Sequence, residues 1–231
     1  MIILVFDTET TGLIKTTTIA HYELDSLPYI VQFSYLLYDT EKSFIEKISD
    51  DIIKIPEKIV IPEECVNIHG ITKGMTLKGK DVGKCLLEFA KSYSQADVIV
   101  GHNLSFDINM VKTELMRTIQ NSKGITHLLD YNNLLYSLNN PPKNKTYFCT
   151  LQNSIVLCNI KSINKRTGKE FIKYPRLMEL HEKLFSCSPK NLHNSLNDVI
   201  VCFRCYYMLE YKTDIIETNM YIKKMYNRLL L

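Results

Sequence analysis

The chain reads as an α/β fold, and three observations say so. It opens on Met1-Ile-Ile-Leu-Val-Phe6, a continuous apolar run that ends at an acidic turn, Asp7-Thr-Glu-Thr-Thr-Gly12. Two segments rich in β-branched and aromatic residues follow, joined by the turn Asp39-Thr-Glu-Lys42. Beyond them the apolar residues recur at helical spacing, interrupted by a second short apolar run at 97–101.

The opening run suits a central strand buried on both faces, because it is apolar without alternation. Tyr29 to Tyr38 suits a second strand, and Ser43 to Ile55 its antiparallel partner, closing a meander. Pro62-Glu-Glu-Cys65 starts a short helix, since proline fits the first helical turn, and that helix ends near His69-Gly70. Gly83 to Ser94 is an amphipathic helix. Asp97 to Gly101 is a short buried strand, and Leu104 to Ile119 carries Phe106, Met110, Val111 and Leu115 on one helical face. Together they form a strand–loop–helix unit with polar residues at the strand's carboxyl end. The middle is less regular. Leu128-Leu-Asp130 fits a short strand, Asn139 to Lys145 a loop, and Lys161 to Lys169 a basic loop; Tyr147 to Asn159 fits either strand or helix. Pro175 opens a helix through Leu184, and another runs from about Ser195 to Tyr211. No linker or internal repeat divides 1–212, read as one domain. The tail, 213–231, keeps helical spacing and either packs on the domain or meets a partner.

Length and composition bound the class. A chain of 231 residues can bury one sizeable core. With 45% hydrophobic and 23% charged residues it has a soluble globular composition. A net charge of +3 confines any nucleic-acid-binding field to local clusters. No apolar stretch approaches the roughly 18 residues of a membrane span, and the opening run meets Asp7 too early for a signal peptide. These features lead to the expectation of an intracellular protein without membrane contact. Seven cysteines are scattered; Cys202 and Cys205 form a lone C-x-x-C within a helical pattern, which reads as reduced core rather than a zinc site.

Four patches carry chemistry. Asp7-Thr-Glu9 at a strand end puts two carboxylates on one face, because strand side chains repeat every second residue. Like charges so close repel unless a cation lies between them, and hard oxygen ligands select Mg²⁺ or Mn²⁺. Alone, the pair is also what an ordinary acidic turn looks like. Gly101-His-Asn-Leu-Ser-Phe-Asp107 opens a helix, with Asp107 in the first turn where its charge suits the dipole; capping by Asn103 and Ser105 is the plainer account. His193-Asn-Ser-Leu-Asn-Asp198 lets a loop histidine and a helical aspartate approach one point from two directions, with Ser195 as the cap between them. Val66 to Thr72 contains His69 before a helix-stopping glycine, and gives His69 at most a supporting role.

In order, D-x-E-T-T-G-L, N-I-H-G-I-T, G-H-N-x-x-F-D, Y-P-R-L-x-E-L-H-x-x-L-F and H-N-S-L-N-D resemble the DEDDh exonucleases, relatives of the proofreading epsilon subunit of bacterial DNA polymerase III. The resemblance runs from Met1 to about Leu209. It implies a ribonuclease H-like fold, a five-stranded mixed sheet of three antiparallel and then two parallel strands flanked by helices. It implies that Asp7, Glu9, Asp107 and Asp198 bind two divalent cations, Mg²⁺ or Mn²⁺, and that His193 activates water as general base. Thr10, Leu13, Asn103, Phe106 and His69 match positions around the terminal nucleotide, Leu13 as a wedge against bases.

The implied reaction is hydrolysis of a phosphodiester from a 3′ end, releasing 5′-mononucleotides, with one cation acidifying the attacking water and the other neutralising the leaving oxygen. An imidazole exchanges its proton near neutrality, as a base for that water must. The implied partner is nucleic acid with a 3′ end, single-stranded or frayed, and a polymerase or other replication or repair partner is the alternative setting, docked through the tail. A non-catalytic scaffold on the same fold would be expected to have lost acids, and here all are present. Lys143, Lys145, Lys161, Lys165, Arg166 and Lys169 either grip phosphates or are solvated loop charge. Tyr147, Phe148 and Tyr174 are nearby candidates for base stacking. The motifs do not separate DNA from RNA, since a 2′-hydroxyl contact depends on loop geometry.

Overall fold

A central strand whose residues are apolar on both sides needs a cover on each face, and β1 (Ile2–Thr10) has one. Ile3 and Val5 enter one buried cluster, Leu4 and Phe6 another. The structure, a computed structural model, describes residues 1–14, 21–121 and 127–230. Parts of the polar stretch after β1 and of the middle segment, and Leu231 of the tail, lie outside the described residues.

The main sheet has the order β3-β2-β1-β4-β5. β2 (Ile30–Asp39) pairs antiparallel with β1 and with β3 (Phe44–Ile52), the expected meander. β4 (Val98–Gly101) and β5 (Thr146–Cys149) add in parallel on the other side of β1. Three antiparallel strands followed by two parallel ones make the ribonuclease H-like sheet. The parallel strands β1, β4 and β5 put their carboxyl ends on one edge, where side chains from separate segments converge.

Helices cover both faces. On one side lie α3 (Val82–Gln95), α4 (Leu104–Asn121) and α5 (Leu128–Asn139), with Phe89, Met110, Val111, Leu115 and Leu134 against Phe6, Phe33 and Ile99. On the other, α8 (Ser195–Tyr211) brings Val199, Phe203 and Tyr206 against Ile3, Val5 and Val100. Two short helices, α1 (Glu63–His69) and α2 (Lys73–Leu77), precede α3; α1 stops at Gly70, whose φ of 73° is left-handed. The C-x-x-C pair is core, as expected: Cys202 and Cys205 are buried and unbonded.

The middle corrects three expectations. Leu128-Leu-Asp130 is not a strand but the first turn of α5, because Tyr131, Leu134 and Leu138 set a helical period that three residues cannot display. Tyr147 to Asn159 is strand and then helix, β5 followed by α6 (Thr150–Cys158), with Asn159 left-handed at its end. Lys161 to Lys169 is not an open loop. It forms most of a hairpin, β6 (Lys161–Ile163) with β7 (Glu170–Ile172). Asn164 builds the connection, its side chain accepting from the amides of Arg166 (2.9 Å) and Thr167 (3.1 Å), and Gly168 supplies a φ of 67°.

After α7 (Leu177–Phe185) and α8, the tail forms α9 (Ile215–Thr218) and α10 (Met220–Leu230). Ile222 and Tyr226 of α10 are buried in the same cluster as α8. The Tyr226 hydroxyl meets His181 Nε2 at 2.8 Å, and Arg204 binds Asp214 through two nitrogens, at 2.6 and 2.9 Å. No helix among the described residues is long and apolar enough to cross a membrane.

Candidate active site

Alternation along β1 sends Asp7 and Glu9 to the side where Ile3 and Val5 meet α8. Opposite them, the first turn of α8 carries Asp198. One ligand oxygen from each of Asp7, Glu9 and Asp198 lies within 4.8 Å of the others. What holds α8 in that position is a residue with an unexpected part. Ser195 is not the helix cap; Asn194 is, its side chain accepting from the Asn197 amide at 3.3 Å. Ser195 instead docks the helix on the sheet: its Oγ donates to the Asp7 carbonyl at 2.6 Å and its amide to Gln32 Oε1 at 3.2 Å. Asp198 follows one turn later, on the same side of the helix.

Asp107 arrives from the other cover. It is buried in the first turn of α4, and its Oδ1 accepts from the Thr8 amide at 3.0 Å and the Thr8 hydroxyl at 2.7 Å. It lies outside the three-acid cluster defined by the 4.8 Å spacing. Its proton affinity is nevertheless raised, first by burial and then by the charges of Asp7 and Glu9, so four acids share one field. A β-bulge between Glu9 and Thr10 ends the regular pairing at this point.

Burial pushes the Asp7 carboxyl up to about 7 and, together with the charge of Asp7, the Glu9 carboxyl up to about 8. Asp198 is raised by burial and by both neighbours, and its Oδ1 is buried without a hydrogen-bond partner. Half-buried acids gathered this closely, one of them with an unpaired oxygen, fit a divalent cation: the ligands are hard, and positive charge removes both the repulsion and the unmet acceptor.

These shifts give a pH prediction. An acid whose pKa rises on folding keeps a proton that the unfolded chain has released, so stability falls with rising pH until the folded-state value is passed. For Asp7 and Glu9 that decline continues to about 7 and 8. His102 and His181, held down to about 4 by burial, act in the opposite sense, but only below their ordinary value of 6.5. The metal-free protein should therefore melt at lower temperature at pH 8.5 than at pH 6.5, and Mg²⁺ should raise the melting temperature more at the higher pH. Equal Mg²⁺ shifts at the two pH values in scanning calorimetry would count against cation binding by this cluster.

Glu9 also opens onto a cleft of about 1110 Å³, whose lining includes Thr10, Leu13, His69 and Phe106. Leu13 is 73% exposed. His69 Nδ1 accepts from the Ile71 amide at 3.0 Å, which leaves the ring's own proton on Nε2, facing the Thr10 backbone. Asn103 is exposed, has a φ of 69° and is absent from the lining. His193 is exposed with a φ of 65°, and its amide meets Asp198 Oδ2 at 3.3 Å.

One wall of the cleft, at 25–29, is held by a buried pair that sequence reading overlooked. Arg117 donates to the carbonyls of Leu24, Leu27 and Pro28 and to Glu114 Oε1 at 2.8 Å, which also accepts from the Ile30 amide. The guanidinium carbon lies 3.6 Å from the centre of the Tyr29 ring. Nothing in the helical pattern of α4 sets this arginine apart from a solvated one. Arg117→Met would strand the Glu114 carboxylate, at a cost of about 3–5 kcal/mol. A drop in melting temperature on the order of 10 °C is expected, with part recovered by adding Glu114→Gln.

Of the basic and aromatic residues expected to face nucleic acid, three are taken up in packing. Lys145 Nζ caps the end of α3 through the carbonyls of Tyr93 and Ala96, Tyr147 shares a hydrogen bond with the Tyr93 hydroxyl, and Phe148 packs edge-on against Tyr206 at 4.9 Å. Tyr174 remains exposed.

The exonuclease family model RNase T matches residues 4–206. No curated protein sequence matches the chain. Similar solved structures include E. coli exonuclease I with a dT13 oligonucleotide, at 16% identity and a TM-score of 0.62 over 95% of this chain and 43% of that one. Another is the same enzyme with a dA16 oligonucleotide, at 17% identity and a TM-score of 0.58, over 95% and 42% of the two chains. A third is a zinc-bound E. coli exonuclease I–ssDNA complex, at 15% identity and a TM-score of 0.61, over 94% and 43%. The chain thus spans less than half the length of these proteins.

Proposed function

Because the chain belongs to the exonuclease family, with the DEDDh acids and histidine in place, we propose that it is a metal-dependent nuclease that removes nucleotides one at a time from 3′ ends. The observation that carries this reading is the meeting of Asp7, Glu9 and Asp198, the last with an unpaired carboxylate oxygen, where Glu9 opens onto the cleft.

Asp7, Glu9, Asp107 and Asp198 would hold two divalent cations, Mg²⁺ or Mn²⁺, which when bound supply the positive charge that a phosphodiester and its leaving oxygen require. The protein's own groups do the rest. Thr8 and Ser195 keep α4 and α8 at the sheet edge, so that the acids need not reorganise when substrate arrives. Leu13, Thr10, Phe106 and His69 take the terminal nucleotide. His193 accepts the proton of the attacking water, and the product is a 5′-mononucleotide. Oligonucleotides bound to the similar exonuclease I structures favour a single-stranded substrate. A polymerase-type partner docked through the tail is the less favoured setting, because Ile222 and Tyr226 already pack on the chain's own core.

The test uses 5′-labelled single-stranded DNA and matched RNA, each with Mg²⁺, Mn²⁺ or chelator. A ladder shortening from the 3′ end and lost in chelator is the expected result, and the faster strand identifies the preferred sugar. Intact strands in every lane, from protein shown to be folded, would refute an autonomous nuclease.

A further inference from the structure

The hairpin β6–β7 concentrates charge. Residues 159–174 contain Lys161, Lys165, Arg166, Lys169 and Lys173 against Glu170 alone, so their excess of positive charge is greater than the +3 of the whole chain. Two of the five cations are engaged: Lys161 with Glu170 at 3.5 Å and Lys173 with Glu179 at 2.5 Å. The other three, Lys165, Arg166 and Lys169, are exposed at the turn, and no hydrogen bond or ion pair engages their side chains among the described residues. Beside them Phe171 and Tyr174 are 47% and 62% exposed.

The hairpin is rooted at the catalytic edge. The Lys173 amide donates to the Ile160 carbonyl at 2.9 Å, closing its base. Two residues on, the Pro175 carbonyl accepts from His102 Nε2 at 3.0 Å; His102 Nδ1 meets the Thr150 hydroxyl at 2.9 Å. A carbonyl can only accept, so Nε2 carries a proton, and burial, which pushes the pKa down to about 4, keeps the ring neutral. One imidazole thus ties both ends of the excursion 150–175 to the residue preceding Asn103, in the loop that leads to Asp107.

We propose that this hairpin is a landing arm for single-stranded nucleic acid, gripping the strand on the 5′ side of the end being removed. Lys165, Arg166 and Lys169 contact successive phosphates, and Phe171 and Tyr174 offer faces on which bases stack, a combination that binds single strands without reading sequence. The proposal rests on the nuclease reading for its orientation, not for the binding itself.

Binding of a 5′-fluorescein 20-mer and 4-mer, followed by anisotropy in chelator across a salt series, tests it with the full chain. For single strands each phosphate contact contributes about 0.7 to the slope of log K against log salt. Lys165→Gln/Arg166→Gln/Lys169→Gln should therefore flatten the 20-mer slope by about 2 and abolish the preference for the 20-mer over the 4-mer. Tyr174→Ala, which removes no charge, should weaken the 20-mer about five-fold with the slope unchanged. A triple variant that binds the 20-mer with the wild-type slope overturns the arm, whether or not the protein cuts DNA in Mg²⁺. A chain that never cuts, yet loses the 20-mer with the triple variant, keeps the arm and loses the nuclease.

Discussion

Replacing Asp7 with alanine is expected to lower turnover by about a thousand-fold or more, while the protein held in chelator melts no lower than the wild type. The two effects share one cause. Asp7 sits where burial lifts its carboxyl to about 7, and its charge in turn raises Glu9, Asp107 and Asp198. Without metal the side chain is a liability, and its removal relieves three neighbours. With metal it would be a ligand whose loss would forfeit several kcal/mol of charge stabilisation, and each 1.36 kcal/mol is a factor of ten in rate. The substitution is interpretable because the contact that docks α8 runs from Ser195 to the Asp7 backbone carbonyl, which alanine retains. The stabilisation by Mg²⁺ at pH 8.5 should shrink in parallel. A variant that keeps full turnover, or melts well below wild type in chelator, would assign Asp7 to the core and not to chemistry.

What the sequence displays is uneven, for physical reasons. β1 and β4 were legible because a strand buried on both faces must be apolar, β2 because β-branched and aromatic residues suit a strand, and α4 because a helix covering one face must repeat its apolar residues. The strand-end position of Asp7 and Glu9 followed directly from the period of two. Their meeting with Asp198 did not: Asp198 lies 189 positions after Glu9, and the two are brought together by the packing of α8 on the sheet and by the contacts of Ser195 with Asp7 and Gln32. That convergence entered the sequence reading through the family's motifs, not through any local pattern.

The failures have a common origin in residues that serve the backbone. Lys145 and Arg117 look like solvated cations, yet both use their donors to cap carbonyls, a role that depends on where distant chain ends fall. Tyr147 and Phe148 look available for stacking until the neighbouring Tyr93 and Tyr206 claim them. The basic segment at 161–169 hid a hairpin because three-residue strands carry no measurable alternation, although Asn164 and Gly168 were the turn signals to notice. His102 was visible only as part of a motif; its contacts with Thr150 and Pro175 are a matter of tertiary structure.

His193→Ala should lower kcat by about 10²–10⁴, the range in which a positioned proton acceptor contributes, with KM little changed. The position lends itself to a clean experiment. His193 is exposed, and the link between its loop and the cluster runs from its backbone amide to Asp198 Oδ2, so removing the imidazole leaves that link in place. Its φ of 65° is a conformation that histidine and asparagine adopt more readily than alanine, so His193→Asn, which should lose the same rate, controls for backbone strain. Two readouts then separate a base from a structural residue. Mg²⁺ should stabilise the variant as it does the wild type, because no ligand is lost. Added imidazole should restore part of the rate in proportion to its concentration. A variant with unchanged kcat would move the proton acceptor elsewhere, and Nε2 of His69 would not replace it, because that nitrogen carries the ring's proton and can only donate.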